Sequence, residues 1–323
     1  MTTFIQSWLG WREGGNLEIM ENNDVVRAVL EVLALPKVGP VKARSILREC
    51  QTAAAIRARA NQVFSPTESV AEEARSVASR ILGECETLGI GIVALGAREY
   101  PRLLSKIKDP PPLLYYRGEQ SALLCECVAI VGTREASEDG RRAAREIAKV
   151  LAADKFVVVS GLALGIDAAA HEGALEAGGA PTVAILAHGL HMVTPTRNAK
   201  LAQSILASGG ALVSEHPPGV PPRPPEFVRR NRIQSGMSHC SIVVESGTTG
   251  GAIHQARFTV EQGRELFVVV SERAETSLNM EGARHLQDVM KAKALSGTRE
   301  ARLAVREVAQ REAPSASSKE LFD

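Results

Sequence analysis

Residues 127–134 read Cys127-Val128-Ala129-Ile130-Val131-Gly132-Thr133-Arg134, an apolar run that passes directly into a small polar turn. A run that is apolar on both faces is typical of a strand buried inside a parallel sheet. The residues after Arg134 have helical periodicity, so Gly132 is predicted to begin a strand-to-helix turn. This pattern is that of an α/β domain.

The same alternation of apolar runs and helical stretches continues to about Val270. Further strands are predicted at 156–159, 182–186, 211–213, 241–244 and 266–270. We therefore predict a doubly wound, mostly parallel, extended Rossmann-like sheet of these six strands, with helices on both faces. A short strand is also expected at 91–94. Leu113–Tyr116, which follows a run of prolines, is expected at a sheet edge.

The chain divides into three parts by composition. Residues 1–85 are rich in Ala, Leu, Arg and Glu, which predicts a small all-helical domain. Residues 86–295 hold the Rossmann-like domain, and residues 296–323 are predicted to be a C-terminal tail that is disordered from Ala313 onward.

Within the helical part, Leu35–Ala43 resembles the hairpin of the helix-hairpin-helix family. Lys37, Gly39 and Lys42 there form a secondary candidate site for phosphate, the alternative being a plain spacer between helices.

Composition restricts the class of protein. The 323 residues are 45% hydrophobic and 23% charged, with 38 basic residues against 37 acidic ones, as in a globular protein and unlike a disordered or fibrous one. Neither a membrane span nor a secretory signal is discernible. Five scattered cysteines without a C-x-x-C pair indicate free thiols. A cytoplasmic protein with no metal and no cofactor is expected.

Ligands of doubly wound sheets bind at the carboxyl ends of the strands. Gly132-Thr133-Arg134 lies at such an end. Glycine allows close backbone approach, a helix N-terminus offers unpaired N–H groups, and Arg134 adds a fork of donors, so the turn is a candidate phosphate cradle. Neither G-x-G-x-x-G nor a Walker lysine is present. Taken alone, the turn is also compatible with an ordinary connection.

Several later turns should reach the same sheet edge. Together with the first turn they predict a cationic groove for several phosphates. The candidate residues are Ser160, Gly161, Gly165, Arg197, Asn198, Arg229, Arg230, Asn231, Arg232, Thr248, Thr249 and Gly250. Asp167 is interpreted as a helix N-cap and His171 as a packing residue. A solvated helix face is the alternative for the basic cluster at 229–232.

Resemblance to the DNA-processing (DprA/Smf) family is carried by ordered matches: Tyr100-Pro101, Asp109-Pro110-Pro111, Gly132-Thr133-Arg134, Ser160-Gly161, Gly165-Ile166-Asp167, Ser214-Glu215 and Phe227-Val228-Arg229-Arg230-Asn231-Arg232-Ile233. The resemblance implies a non-catalytic, homodimeric protein that binds single-stranded DNA. It also implies a role in loading the RecA recombinase during natural transformation or DNA recombination. Gly132, Thr133 and Arg134 would line the DNA pocket, with Ser160, Gly161, Arg230 and Asn231 nearby.

The chain departs from the family pattern at Leu164, where a basic residue is usual. This departure keeps open a second function, as the antitoxin or sensor half of a toxin–antitoxin or phage-defence pair with a toxin partner. A third alternative is an enzyme. The Thr248–Gly251 turn resembles a turn of the nucleotide-cleaving phosphoribohydrolases. In this alternative, Glu245 of the present chain would act on a ribosyl bond. The P-G-G-x-G-T-x-x-E string of those enzymes is absent, which weighs against catalysis.

Overall fold

The computed structural model describes residues 22–271 and 275–312. Within these residues nine strands form one sheet in the order β1-β2-β6-β5-β4-β3-β7-β8-β9. Their bounds are β1 Ile90–Ala94, β2 Leu113–Gly118, β3 Cys127–Val131, β4 Val157–Ser160, β5 Thr182–Ile185, β6 Ala211–Ser214, β7 Cys240–Val243, β8 Glu265–Val269 and β9 Lys293–Leu295. Along the sheet, every pairing from β6 to the edge strand β9 is parallel. β2 pairs antiparallel with both of its neighbours, β1 and β6. The predicted doubly wound, mostly parallel fold is confirmed.

Three strands, β1, β2 and β9, lie outside the six that were predicted for the parallel sheet. The short strand expected at 91–94 is β1. β2 lies between β1 and β6, so the prediction of an edge position for Leu113–Tyr116 was wrong. Pro110, Pro111 and Pro112 precede this strand and do not interrupt it, which leaves its N–H groups free to pair on both sides. β9 was not predicted, because three residues are too short for a detectable pattern.

Helices cover both faces of the sheet, as the apolar strands require. Their bounds are α1 Asn22–Ala34, α2 Pro40–Glu49, α3 Ala53–Phe64, α4 Glu68–Thr87, α5 Arg102–Ser105, α6 Glu138–Ala153, α7 Ile166–Ala177, α8 Ala199–Ala207, α9 Pro224–Met237, α10 Gly251–Glu261, α11 Glu281–Met290 and α12 Thr298–Glu312. No helix in the described part of the chain is both long and apolar enough to cross a bilayer.

The two faces of each strand contribute to different cores, as alternation in a strand dictates. In β4, Val158 packs with the core beneath α6 and α7, whereas Val157 and Val159 pack with the core beneath α9. Each core is a continuous apolar cluster. α9 is thereby held on the opposite face of the sheet from α6 and α7.

The N-terminal helices are joined to the sheet through a shared core. Buried residues of α1, such as Val29, belong to the same cluster as Ile92 of β1, Tyr115 of β2 and Leu212 of β6. α1–α4 occupy residues 22–87, close to the range predicted for a helical domain. Their common core with the sheet fixes them relative to the carboxyl ends of the strands.

The segment predicted as a C-terminal tail contains α12. Its residues Ala301, Val305 and Val308 are buried and recur at the spacing of one helix face, which packs against α6. The high charge of this segment concealed that face in the sequence. The disorder predicted from Ala313 onward lies outside the described residues.

Candidate functional site

A cavity of about 510 Å³ opens at the carboxyl ends of β3 and β7. The strand order reverses between these two neighbours, because β4, β5 and β6 follow β3 on one side and β8 and β9 follow β7 on the other. Such a switch point is where doubly wound sheets bind ligands. α9 forms the remaining wall. Seven residues predicted from the sequence line the cavity: Gly132, Thr133, Arg134, Arg230, Asn231, Thr249 and Gly250.

The backbone of the turn after β3 is fixed by two neighbouring segments. The Thr133 N–H donates to the Glu245 carbonyl at 2.7 Å, and the Ile166 N–H donates to the Thr133 carbonyl at 3.2 Å. Gly165, at φ +79°, lies against the carbonyls of Thr133 and Arg134, where a Cβ would clash. A rigid turn of this kind presents its groups to a ligand without first having to become ordered.

Arg134 extends from this turn towards α9. Its side chain is exposed, and its guanidinium lies 5.5 Å from the centroid of the Phe227 ring, within cation–π range. Among residues 22–271 and 275–312, no carboxylate lies within ion-pair distance of Arg134. The rim of the cavity thus carries a positive charge and a neighbouring aromatic face, which suit a phosphate and a base.

Arg230 lies deeper in the cavity wall and is 6% exposed. One of its terminal nitrogens donates to Gln234, which follows one helical turn later. Burial, opposed by the nearby Asp167 carboxylate, lowers the pKa of Arg230 to about 10. The Arg230 Nε has no hydrogen-bond partner among the described residues. A buried donor without a partner is costly in free energy, so the protein does not make all the hydrogen bonds that the Arg230 guanidinium can form.

The turn after β4 supports the cavity from behind. Asp167 lines the cavity and accepts hydrogen bonds from the N–H groups of Gly161 and Ala163, at 3.1 and 3.3 Å. α7 begins at Ile166, and Gly165 is its N-cap residue. Asp167 therefore lies in the first turn of the helix, and its interpretation as the N-cap was wrong. Burial raises its pKa. The Asn198 Nδ2 donates to the Leu162 and Ala163 carbonyls.

Four predicted residues therefore fix this turn and do not line the cavity: Ser160, Gly161, Gly165 and Asn198. The Ser160 hydroxyl donates to the Ile130 carbonyl of β3 at 2.7 Å. Two other predicted residues, Arg197 and Thr248, are exposed and also lie outside the cavity lining.

The basic cluster of α9 is divided between two faces of the helix. Arg230 and Asn231 face the cavity, and the Asn231 Nδ2 donates to the Gly251 carbonyl at 3.0 Å. Arg232 is 1% exposed and bonds to both carboxylate oxygens of Glu215, at 3.0 and 2.8 Å, and to Asp109 at 2.8 Å. It does not reach the cavity. Arg229 is exposed on the same side of α9 as Arg232 and lies 3.6 Å from Glu215.

The residues of the candidate hairpin site are not part of the cavity lining. Lys37 lies in the turn between α1 and α2 with φ +60°, the left-handed conformation that the usual glycine of the hairpin motif would adopt. The Lys42 ammonium donates to the Lys37 carbonyl at 3.0 Å and lies 5.7 Å from the centroid of the Phe64 ring. Lys37 is exposed and Gly39 is half-buried.

Glu245, considered for catalysis, and His171, interpreted as a packing residue, both have structural contacts. Both Glu245 oxygens are engaged: one accepts from the Ser137 N–H and hydroxyl, the other from the Asn279 N–H. Glu245 is 5% exposed and is not part of the cavity lining. His171 is fully buried, with its Nδ1 2.7 Å from the Thr182 hydroxyl, in agreement with its interpretation as a packing residue.

Sequence reasoning missed Gln234, Ser246 and Gln255, which line the cavity. Gln234 was accessible to it, since it follows Arg230 by four residues and therefore lies on the same helix face. Nothing in the sequence distinguished Gln255 from other polar residues of α10.

The model of the family DNA recombination-mediator protein A matches residues 91–317. Protein Smf of Escherichia coli is 44% identical over 170 residues, which cover 53% of this chain and 45% of that protein. DNA processing protein DprA of Bacillus subtilis is 36% identical over 191 residues, covering 59% of this chain and 64% of that protein. The matches thus span only about half the length of these relatives.

Two solved structures resemble most of the fold. DprA from Streptococcus pneumoniae superposes with a TM-score of 0.64 at 26% identity, covering 87% of this chain and 95% of that one. DprA from Helicobacter pylori superposes with a TM-score of 0.59 at 25% identity, covering 69% and 96%. The second structure was described for its mode of binding single-stranded DNA.

Proposed function

The chain belongs to the DNA recombination-mediator protein A family, and from that premise we propose that it binds single-stranded DNA in the cavity between β3, β7 and α9. Binding is expected to tolerate any sequence, because the cavity offers backbone amides and guanidinium groups suited to phosphates. The description of the Helicobacter pylori relative as a single-stranded DNA binder supports this ligand.

One observation carries the proposal: the exposed Arg134 over the Phe227 ring, at a switch point of the sheet. Arginine beside an aromatic ring is a combination that contacts a phosphate and a base of the same strand. Arg230, with its unpartnered Nε, adds a second positive group to the same cavity. Duplex DNA would keep its bases stacked and away from Phe227.

The site residues take different parts in this proposal. Gly132, Thr249 and Gly250 offer backbone amides, and Thr133 and Thr249 offer hydroxyls. Arg134 and Arg230 offer charge, and Asn231 holds the start of α10. Ser160, Gly161, Gly165 and Asn198 support the cavity from behind. Arg197, Arg229 and Thr248 are exposed outside the cavity and would contact a strand only where it continues beyond it.

We further propose that the protein acts without catalysis, as a homodimer in the cytoplasm, and presents its DNA to the RecA recombinase in DNA uptake or recombination. The description of the family as recombination mediators supports this role. The engagement of both Glu245 oxygens by Ser137 and Asn279 speaks against the ribosyl-cleaving alternative, in which that carboxylate would have to be available.

Fluorescence anisotropy of a labelled oligo-dT, titrated with the wild type and Arg134→Ala across a series of salt concentrations, tests the DNA-binding proposal. We expect salt-sensitive binding that the substitution weakens by about 1–3 kcal/mol, the range for a charged hydrogen bond or a lost stacking partner. Arg80→Ala, on an exposed arginine of α4, controls for the loss of one surface charge. No binding at low salt, or equal affinities of Arg134→Ala and the control, would overturn the proposal.

A further inference from the structure

The face of α9 that turns away from the cavity is joined to the N-terminal helices. Arg232 of α9 bonds to Asp109 of the connector before β2, at 2.8 Å. From the other side, Arg44 of α2 donates to the Pro110 carbonyl at 3.5 Å, and Arg48 of α2 donates to the Lys108 carbonyl at 3.4 Å. The connector 108–110 is therefore held between α9 and α2. α9, which forms a wall of the cavity, is thus linked through the connector to α2.

Exposed cations lie along this link between α9 and α2. Arg229 lies one helical turn before Arg232, on the side of α9 that faces the connector. Lys108 and Arg48 are both exposed, and neither has a carboxylate within ion-pair distance among the residues that the structure describes. We call Arg229, Lys108 and Arg48 the cationic track. It runs from the side of α9 that faces away from the cavity to α2.

The acidic groups near the track are already paired. Arg232 is ion-paired with both Glu215 and Asp109, the buried Arg44 adds a second positive charge near Asp109, and the Glu49 carboxylate is bonded to Arg59 at 2.9 Å. Glu226 lies 3.2 Å from His216 and 3.9 Å from Arg229, so Arg229 is the least free of the three cations. The track therefore keeps a surplus of positive charge. This surplus is local, since the net charge of the whole chain is only +1.

We propose that the cationic track binds the phosphate backbone of single-stranded DNA where the strand leaves the cavity. The inference rests on the proposed function of the cavity and extends it to the N-terminal helices, which lie outside residues 91–317. Exposed Lys and Arg side chains contact phosphates irrespective of base sequence. The connector held between α9 and α2 keeps the two parts of the track in a fixed relation.

The proposal predicts a dependence on DNA length. An oligonucleotide of about six nucleotides would occupy only the cavity, whereas one of about 20 nucleotides would also reach the track. The double variant Arg48→Gln/Lys108→Gln is expected to weaken binding of the long oligonucleotide several-fold. Its salt dependence should fall by about 0.7 in the log–log slope for each lost phosphate contact. The affinity of the short oligonucleotide should change no more than in the control.

The matched control is Lys149→Gln/Lys293→Gln. Lys149 lies in the second half of α6, on the opposite face of the sheet from α9, and Lys293 lies at the start of β9, the edge strand farthest from β1; both are exposed. Urea unfolding verifies that each variant is folded. Lys108→Gln alone serves as the second test, because the Lys108 side chain has no hydrogen bond or ion pair among the described residues to lose.

The outcomes separate the two proposals. If Arg134→Ala weakens both oligonucleotides while the track variants match the control, the track is overturned and the cavity stands. If the track variants weaken binding of the long oligonucleotide only, and Arg134→Ala weakens binding of both oligonucleotides, both proposals are supported. If the short oligonucleotide does not bind and Arg134→Ala has no effect, the cavity proposal fails and the inference that rests on it fails too.

Discussion

Arg230 lies directly against Gly161, so that a Cβ on residue 161 would overlap its guanidinium group. Gly161 follows β4 and Arg230 belongs to α9, on a different segment of the cavity wall. The missing side chain at 161 therefore decides where the buried arginine of α9 can lie. This explains why a glycine that does not line the cavity is nonetheless tied to its chemistry.

Gly161→Ala is accordingly expected to displace Arg230 and to weaken binding of single-stranded DNA roughly tenfold, or about 1.4 kcal/mol. The measurement is the anisotropy titration with labelled oligo-dT. Gly83→Ala provides the matched control, since Gly83 is exposed within α4 and a Cβ there meets no atom within 4 Å. An unchanged affinity of Gly161→Ala would show that the position of Arg230 is immaterial to binding.

Arg232 and Arg229 should separate stability from DNA binding, although the sequence presents them as members of one cluster. Arg232→Gln removes the two close bonds to the buried Glu215 carboxylate, to which only the exposed Arg229 at 3.6 Å then remains, and is expected to lower the free energy of unfolding by about 3–5 kcal/mol. Arg229→Gln removes an exposed charge and should lower it by less than about 1 kcal/mol. Urea unfolding at neutral pH measures both, and similar losses in the two variants would contradict this division of α9.

Most of the sheet could be predicted from the sequence because its strands are buried on both faces. The apolar runs at Val128–Val131 and Val157–Val159 signal strand and burial at once, and the turn after each shows where the chain enters a helix. β9 and α12 escaped this reasoning. β9 is too short for a pattern, and the apolar residues of α12 are separated by charged ones.

The site could be predicted only in part, for a physical reason. Gly132 to Arg134 were accessible because a strand-to-helix turn has one position in a doubly wound sheet. The orientation of α9 was not, because it depends on partners remote in sequence: Arg232 bonds to Asp109, 123 residues away. Four basic or polar residues in a row cannot all face one cavity from a helix.

Phe227 is expected to contribute by stacking on a base and not merely by filling space. Phe227→Leu keeps an apolar side chain but loses the aromatic face, so binding of oligo-dT should weaken by about 1–3 kcal/mol. An abasic oligonucleotide of the same length offers no base to stack and serves as the control ligand. Its affinity should be nearly the same for the wild type and Phe227→Leu. Equal losses for both oligonucleotides would show that Phe227 acts through Arg134 or the local packing instead.

His171 should make the stability of the fold depend on pH. Burial lowers the pKa of His171 to about 3, whereas a histidine in the unfolded chain titrates near its ordinary value of about 6.5. Between these values the unfolded state binds a proton that the native state does not. The contribution of neutral His171 is therefore fully present above about pH 6.5. It is lost as the pH falls toward 3, by up to about 1.4 kcal/mol per pH unit.

His171→Leu tests this linkage by urea unfolding at about pH 7.5 and about pH 5.5, on either side of the ordinary histidine pKa. The variant loses the contact with Thr182, whose hydroxyl keeps its bond to the Val158 carbonyl, so we expect a lower stability at the higher pH. Its stability should then fall less on acidification than that of the wild type. His285→Gln, on α11, controls for the removal of a histidine elsewhere. If the wild type and His171→Leu lose the same free energy between the two pH values, the buried imidazole is not the source of the acid sensitivity.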